Sequence, residues 1–143
     1  MTSFTLHPDL ARAGIFLGKL SLSQLLLMND ARYPWLVLVP ERPGLRDFDE
    51  VAGDDVPLLH ADISLVCSTL RHLFHPDKLN VASLGNMVPQ LHIHVIARFQ
   101  TDAAWPHPVW GVYPPLPYSE ELLEKRLISI KSAIDIQTSN FLK

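Results

Sequence analysis

The longest regular pattern of apolar positions predicts a helix in the middle of the chain. Apolar residues recur there at steps of three and four, namely Leu59, Ile63, Val66, Leu70 and Leu73. We place the N-cap at Asp54, with Pro57 in the first turn, and the end of the helix at His75-Pro76. A second stripe of Leu123, Leu127, Ile130 and Ile134 predicts a C-terminal helix over about 119–139, capped by Ser119.

Shorter apolar runs predict the strands of a mainly antiparallel sheet. One or two strands are expected between Ile15 and Met28, and the turn residues of NDARYP separate them from a strand over WLVLVP, residues 35–40. Residues 78–84 and 90–99 add two more strands. Prolines concentrated between Pro106 and Pro117 predict a non-helical loop. Hairpins with helices packed on one side indicate an α+β fold, and 143 residues suit a single domain over 1–143.

The stretch VPQLHIHVIAR, residues 88–98, places polar side chains at alternate positions. Side chains alternate between the two faces of a strand, so one face receives Gln90, His92 and His94. The apolar residues between them form the natural core face, and the polar row is expected to face solvent or a cleft. Neighbours on one face lie about 6.6–7 Å apart along a strand. Both imidazoles can therefore reach one small ligand.

The spacing of the two histidines alone leaves three interpretations open. Two histidines on one strand face can chelate Zn²⁺, although no cluster of Cys, Asp or Glu lies close in sequence to complete the site. A neutral imidazole can instead attack phosphorus while the second holds a phosphoryl oxygen or moves a proton. The third interpretation is structural, with two surface histidines that have no chemical task.

Composition argues against nucleic acid and membrane as partners of this protein. A formal net charge of −3 and a pI near 6.1 argue against a general nucleic-acid surface, which needs clustered Lys and Arg. No apolar run approaches the roughly 20 residues of a membrane span. The start MTSFTLHPDL has neither a basic region nor an apolar core of a signal peptide. We therefore expect a cytoplasmic protein that binds neither nucleic acid nor membrane.

The residues around the histidines resemble the signature of the histidine-triad (HIT) family. The family motif is His-φ-His-φ-His-φ-φ, where φ is apolar, usually with a Gly and an Asn or Gln before it and an Arg after it. In LGNMVPQLHIHVIAR these places hold Gly85, Asn86 and Arg98. The hairpin that ends in LVLVP and the Trp105-Pro106 segment extend the resemblance to a core of about 14–111.

The sequence departs from the family pattern at two positions. Gln90 stands where the first triad histidine is expected, so an orienting hydrogen bond can survive but a protonatable group is lost. Trp35 stands where a further histidine often lies on the neighbouring strand. These two departures keep a non-catalytic nucleotide-binding module open as an alternative, beside a zinc-binding protein that uses His92 and His94.

The resemblance implies a HIT-like fold of about five strands and two main helices, and a reaction. A nucleotidyl hydrolase or transferase of this type attacks the α-phosphorus of an AMP-like conjugate, either a dinucleoside polyphosphate or a nucleotide phosphoramidate. His92 is the implied nucleophile, held through its other nitrogen by a main-chain carbonyl, and His94 is placed at a phosphoryl or bridging oxygen. Asn86 and the N–H groups of the Gly85 turn are the implied neutral donors, with Gln90 as an orienting residue.

Four further residues are expected near the substrate. Asn29 lies near the place of the family's ribose-binding acidic residue, Asn80 points a polar group toward the same cleft, Arg98 balances phosphate charge, and Trp105 closes the site. The scheme needs no metal and no cofactor, and the resemblance implies a homodimer. The sequence does not choose between the two leaving groups or among nucleotide bases.

Overall fold

The computed structural model describes the backbone of residues 3–141 and the side chains of residues 3–138. The strands are β1 (Gly14–Lys19), β2 (Ser23–Met28), β3 (Trp35–Pro40), β4 (Lys78–Ala82) and β5 (Ile93–Arg98). The helices are α1 (Pro8–Ala13), α2 (Val56–Phe74) and α3 (Glu120–Phe141), and a single 3-10 turn spans Phe48–Glu50. The predicted α+β class with a five-stranded sheet and two main helices is confirmed.

The five strands form one antiparallel sheet in the order β1-β2-β3-β5-β4. β5 is therefore an inner strand, because β3 pairs with one of its edges and β4 with the other. His94 stands opposite Val37 of β3 and Ala82 of β4. Residues directly opposite each other in a sheet share a face, so small or branched apolar side chains flank this histidine on both sides.

One face of the sheet, which we call the helix-covered face, packs against α2 and α3. The fully buried strand residues Leu36, Leu38, Ile93 and Val95 meet Val66 and Leu70 of α2 and Ile130 of α3. Both predicted helical stripes lie in this cluster. Burial of this continuous apolar layer supplies the main stabilisation of the fold.

The opposite face, which we call the histidine face, has an irregular cover. Its strand residues Trp35, Val37 and Ile96 pack against two segments outside the sheet. The N-terminal segment contributes Phe4, Leu6 and Leu10, and the loop between β5 and α3, which we call the tryptophan loop (residues 99–119), contributes Ala104, Val109 and Trp110. This face therefore forms a second core without long helices.

Several element ends and one short helix differ from the sequence prediction; for example, β4 ends at Ala82 rather than at residue 84. The N-cap of α2 is Asp55 rather than Asp54, and its carboxylate pairs with Arg42 instead of capping the helix. β5 begins at Ile93 rather than Gln90, because the N–H of Leu91 donates to the carbonyl of Leu45 and not to a strand. The short helix α1 carries too little apolar periodicity to be predicted. Among the described residues, no helix has the length and apolarity required to cross a bilayer.

Candidate active site

His92 lies directly before β5 and is oriented by a main-chain carbonyl. Its Nδ1 is 2.7 Å from the carbonyl oxygen of Gln90. A carbonyl oxygen only accepts hydrogen bonds, so Nδ1 carries the proton and donates it. In the neutral form of the ring this leaves a free lone pair on Nε2. This is the state that a nitrogen nucleophile requires.

His94, the second residue of β5, is oriented by a side chain from the neighbouring strand. Nε1 of Trp35 donates to Nδ1 of His94 over 3.0 Å. Trp35 is paired with Ile96, and a long side chain can reach the diagonal position on the same face. The indole N–H is only a donor, so Nδ1 holds the lone pair and the ring proton lies on Nε2. The two histidines thus have opposite tautomers.

The two imidazoles form one buried cluster with two tryptophans. The ring centroids of His92 and His94 are 4.9 Å apart, and that of Trp110 is 5.0 Å from that of His94. His92 is 6% exposed and His94 5%. Burial, together with the neighbouring His92, lowers the pKa of His94 to about 3. His94 is therefore neutral at physiological pH.

The expectation that Gln90, His92 and His94 form one row facing solvent or a cleft is wrong, because both rings are buried and the side chain of Gln90 binds the N-terminal segment. The two rings do share one face, and Leu91, Ile93 and Val95 do face the core under the helices. The N-terminal segment and the tryptophan loop, however, cover the histidine face. Strand periodicity shows which side chains share a face, but it carries no information about distant segments that pack over them.

The side chain of Gln90 does not join the histidine pair. Its Nε2 donates to the carbonyl of Thr5 over 2.9 Å, and its Oε1 accepts from the N–H of His7 over 2.8 Å. The amide therefore forms a two-bonded clamp on the N-terminal segment. The main chain of Gln90 supplies the orienting contact to His92, so the first triad position acts through its carbonyl.

The turn before the histidines contains the other predicted donors. Gly85 has a φ of +77°, a conformation that L side chains rarely adopt, so glycine is required there. Asn86 is exposed in this turn. Within residues 3–138 its side chain forms no hydrogen bond to either imidazole, and its predicted role stays a prediction.

Arg98 and Asn80 belong to a buried network at the end of β5. The guanidinium, 2% exposed, donates to both carboxylate oxygens of Asp102 at 2.8 and 3.1 Å. It also donates to Oδ1 of Asn80 and to the carbonyl of His107, each at 2.8 Å. Burial alone would raise the pKa of Asp102, but the hydrogen bonds from Arg98 and from main-chain N–H groups outweigh it and lower this pKa.

This network holds the tryptophan loop in place rather than reaching the histidine pair. Oδ1 of Asp102 accepts from the main-chain N–H of Trp105 over 2.8 Å. The guanidinium carbon of Arg98 lies 5.8 Å from the ring centroid of Trp105. With these donors occupied inside the protein, Arg98 has a structural task that the sequence did not indicate.

Asn29 likewise anchors the loop from a distance. Its Oδ1 accepts from the N–H of Tyr118 over 2.9 Å, and the N–H of Ala31 donates to the carbonyl of Leu116 over 2.7 Å. The neighbouring Asp30 is buried and paired with Arg32. The β2–β3 turn therefore fixes the far end of the tryptophan loop.

Two cavities border neighbours of the histidine pair. One, of about 750 Å³, has Asn80, Arg98, Trp105 and Trp110 in its lining, and Trp110 packs on His94. The other, of about 420 Å³, includes Arg46 and Gln90, and the carbonyl of Gln90 binds His92. The sequence pointed to Trp110, together with Trp105, as a residue that could close the site, but not to Arg46, which lies far from the histidine motif.

Among the described residues, His92 and His94 lack the further ligands that a metal site requires. Across the described part of the chain, no group of three or more His, Cys, Asp or Glu side chains could hold a metal ion. The zinc interpretation of His92 and His94 therefore has two ligands, whereas a structural Zn²⁺ site takes four.

Comparison with known families gives a match to the HIT domain over residues 13–101. Among solved structures, a histidine triad protein from Bradyrhizobium japonicum is 41% identical, with a TM-score of 0.90, over 93% of this chain and 99% of that one. One from Marinobacter aquaeolei VT8 is 42% identical, with a TM-score of 0.90, over 94% and 98%.

A third, from Sinorhizobium meliloti 1021, is 42% identical, with a TM-score of 0.88, over 91% and 96% of the two chains. A hypothetical histidine triad nucleotide-binding protein from Sulfolobus tokodaii strain7, 17% identical over 85% and 84% with a TM-score of 0.64, shares the fold. A search of curated proteins gave no match.

Proposed function

The chain belongs to the HIT family, whose members are generally nucleotide-binding hydrolases or transferases, and we propose that it cleaves nucleotide conjugates at the α-phosphorus through a covalent nucleotidyl-histidine. The observation that carries this proposal is the pair of opposite tautomers. His92 presents a lone pair on Nε2, and His94 presents a proton on Nε2, from rings whose centroids are 4.9 Å apart. One site thus contains a nucleophile and a hydrogen-bond donor.

In the first step His92 attacks the phosphorus. The lone pair on Nε2 forms a bond to the α-phosphorus, and the bond from phosphorus to the leaving group breaks with its electrons. The Nδ1–H bond to the carbonyl of Gln90 stabilises the positive charge that the ring acquires. The Nε2–H of His94 donates to an oxygen on which negative charge accumulates.

In the second step water or another acceptor takes the nucleotidyl group. The oxygen of the acceptor forms a bond to phosphorus, and the electrons of the phosphorus–nitrogen bond return to the ring of His92. The acceptor loses a proton to solvent, and the product that leaves is a nucleoside monophosphate when the acceptor is water and the nucleotidylated acceptor otherwise. Two moderate barriers replace one high barrier, which is the general advantage of covalent catalysis.

The remaining site residues divide into two groups in this proposal. We assign substrate contacts to Asn86, to the N–H groups of the Gly85 turn and to Trp105, which lines the cavity beside Trp110. We assign Arg98, Asn80 and Asn29 to holding the tryptophan loop that forms one wall of the site, since their polar atoms form hydrogen bonds there.

A cytoplasmic location stays a prediction.

The test is a panel of nucleotide conjugates, with nucleoside monophosphate release measured by chromatography and the protein analysed by mass spectrometry. His92→Ala should lower turnover by roughly 10³-fold or more, as removal of a nucleophile does, and should abolish a covalent adduct of one nucleotidyl group. His72→Ala, which changes an exposed histidine on α2, is the matched control. Full turnover by a folded His92→Ala protein would refute the mechanism.

The same panel separates catalysis from binding alone. A non-catalytic nucleotide-binding module would show nucleotide affinity by calorimetry, with no monophosphate release from any conjugate and no adduct. That result would show that the protein is a non-catalytic member of its family.

We also propose that the protein is a homodimer that pairs through β4. This strand lies at one edge of the sheet, and an edge strand presents unpaired main-chain groups. Exposed apolar side chains cluster in and after it, with Val81 at 46%, Leu84 at 50% and Met87 at 90% exposure. Sedimentation equilibrium should give twice the chain mass, and Val81→Lys should shift it toward the monomer. A monomeric mass for the unaltered protein would contradict the dimer.

A further inference from the structure

The side chain that donates a hydrogen bond to His94 is a tryptophan, Trp35. A tryptophan differs from any titratable partner in one respect, because its indole N–H donates and does not accept, and does not release its proton at physiological pH. The 3.0 Å bond from Nε1 of Trp35 therefore fixes one protonation state of His94. Protonation of Nδ1 would place two N–H donors against each other in a buried site.

The surroundings of His94 reinforce this state. Its ring is 5% exposed and lies against Trp35, Trp110 and His92, with centroid distances of 5.6, 5.0 and 4.9 Å. Val37 and Ala82 flank it on the adjacent strands. Among these neighbours His92 is the titratable one, and within residues 3–138 no carboxylate acts on this ring to stabilise an imidazolium.

We propose that Trp35 is a positioning residue that fixes His94 as a neutral Nε2–H donor, and that the site therefore selects leaving groups that depart as phosphate anions over leaving groups that depart as amines. This inference rests on the proposed function and decides between the two substrate classes that the sequence left open. It assigns dinucleoside polyphosphates and related nucleotide anhydrides as substrates in preference to nucleotide phosphoramidates.

The anhydride reaction needs no proton at the leaving group. The lone pair of His92 forms the bond to phosphorus, the anhydride P–O bond breaks, and both electrons stay on the departing phosphate oxygen. A terminal phosphate loses its last proton near pH 6, so the anion is a stable product near neutral pH. His94 donates a hydrogen bond to that oxygen and keeps its own proton.

The phosphoramidate reaction does need a proton. When the P–N bond breaks, the departing nitrogen must be protonated, because an amine anion is too basic to leave. If Nε2 of His94 gave up its proton, the ring would become an imidazolate unless Nδ1 gained one at the same time. Trp35 cannot supply that proton, so the amine leaving group lacks a general acid, whose contribution is typically 10²–10⁴-fold.

The experiment compares one anhydride and one phosphoramidate of the same nucleoside, diadenosine triphosphate and an adenosine 5′-phosphoramidate, on the full chain. The unaltered protein should show a kcat/KM for the anhydride roughly 100-fold or more above that for the phosphoramidate. Trp35→Phe keeps an aromatic ring without the donor, and Trp35→His restores a titratable partner. Both should shift the ratio toward the phosphoramidate by about tenfold or more, with circular dichroism to show that each variant folds.

A spectroscopic measurement tests the tautomer without relying on turnover. ¹⁵N chemical shifts of the imidazoles should show Nδ1 of His94 unprotonated and Nε2 protonated at pH 7 and at pH 5 in the unaltered protein. Trp35→Phe should move the two signals toward the protonated ring at the lower pH. Tyr33→Phe removes a hydroxyl from a buried ring that packs edge-on against Trp35 and is the matched control, for which neither the ¹⁵N shifts nor the substrate ratio should change.

The outcomes separate the inference from the proposed function. Preference of the unaltered protein for the phosphoramidate, or an unchanged ratio in both Trp35 variants, would overturn the selection while leaving covalent catalysis by His92 intact. A protonated Nδ1 in the unaltered protein would overturn the role of Trp35. Turnover of neither substrate would overturn the proposed function and the selection together, and the ¹⁵N shifts would still decide the tautomer.

Discussion

The two faces of the sheet are closed in different ways. On the helix-covered face α2 and α3 lie across the strands, and their apolar stripes meet a layer of buried Leu, Ile and Val. On the histidine face an N-terminal segment and the tryptophan loop form the cover. These irregular segments lack the continuous apolar stripe of a helix, and the side chains of Gln90, Asn29 and Arg98 also attach them through hydrogen bonds.

This difference separates stability from function. A cover of packed helices is held by many small contributions and is weakened in proportion to the volume removed. A cover held by a few polar anchors can be released by one substitution, and it leaves room for polar chemistry beneath it.

The largest expected effect is the loss of the buried ion pair on the histidine face. Arg98→Ala should lower the free energy of unfolding by about 3–5 kcal/mol, because the carboxylate of Asp102 is left buried without its partner. Arg42→Ala breaks a partly exposed pair with Asp55 and should cost about 0–1 kcal/mol. Urea denaturation measures the free energy of unfolding of both variants. Equal losses would show that the Arg98 ion pair contributes no more to stability than the partly exposed Arg42 pair.

A comparable loss of stability, without a catalytic effect, is expected on the helix-covered face. Leu70→Ala removes a fully buried side chain and should cost about 2–5 kcal/mol in unfolding free energy. Turnover of the folded protein should stay within about twofold of the original, since the side chain lies on the other side of the sheet. Ile128→Ala, at an exposed position on α3, is the stability control. A large fall in kcat for Leu70→Ala would show that the faces are coupled.

A smaller effect concerns the pH dependence of stability. The pKa of His94 is lowered from 6.5 to about 3 in the folded protein, so the unfolded chain binds a proton in this range that the folded chain does not. The stability is fully present above about pH 6.5 and is lost as the pH falls toward 3. From pH 6.5 to 4.5 we expect a loss of roughly 2 kcal/mol that His94→Gln does not show.

The pH range from 6.5 to 4.5 lies above the titration of the two buried carboxylates with lowered pKa values. Asp30 and Asp102 have folded pKa values below the ordinary 3.8. The stability that these two carboxylates contribute is therefore lost at a pH below the range from 6.5 to 4.5 used for His94. Thermal or urea unfolding at matched ionic strength gives the measurement. Parallel pH profiles for the original protein and His94→Gln would show that His94 is not buried in a neutral state.

The smallest expected effect is at the clamp on the N-terminal segment. Gln90→Ala removes two hydrogen bonds and should cost about 1–2 kcal/mol. Hydrogen exchange at the amide of His7 should become faster, while amides of β2 and β3 should be unchanged. Gln24→Ala removes an amide that binds Glu41 near the ends of β2 and β3 and is the control. Unchanged exchange at His7 would show that apolar packing alone holds the segment.

The helices and strands were largely predictable because each depends on local patterning. The stripe of α2, the capping position of Ser119 and the strand WLVLVP were all correctly placed from periodicity and turn chemistry. Apart from the missed helix α1, the errors lie at element ends, such as the start of β5, where the N–H of Leu91 donates to the distant Leu45 instead of to a strand. A distant partner leaves no trace in local periodicity.

The sequence by itself determined the residue types of this protein's site: two histidines on one side of a strand, a glutamine before them and a tryptophan on the neighbouring strand. Only the tertiary structure decided their protonation states, because a histidine takes its tautomer from the partner of one nitrogen. Those partners are the carbonyl of Gln90 for His92 and the indole of Trp35, 59 positions earlier in the chain, for His94. Donor and acceptor directions exist only once the chain has folded.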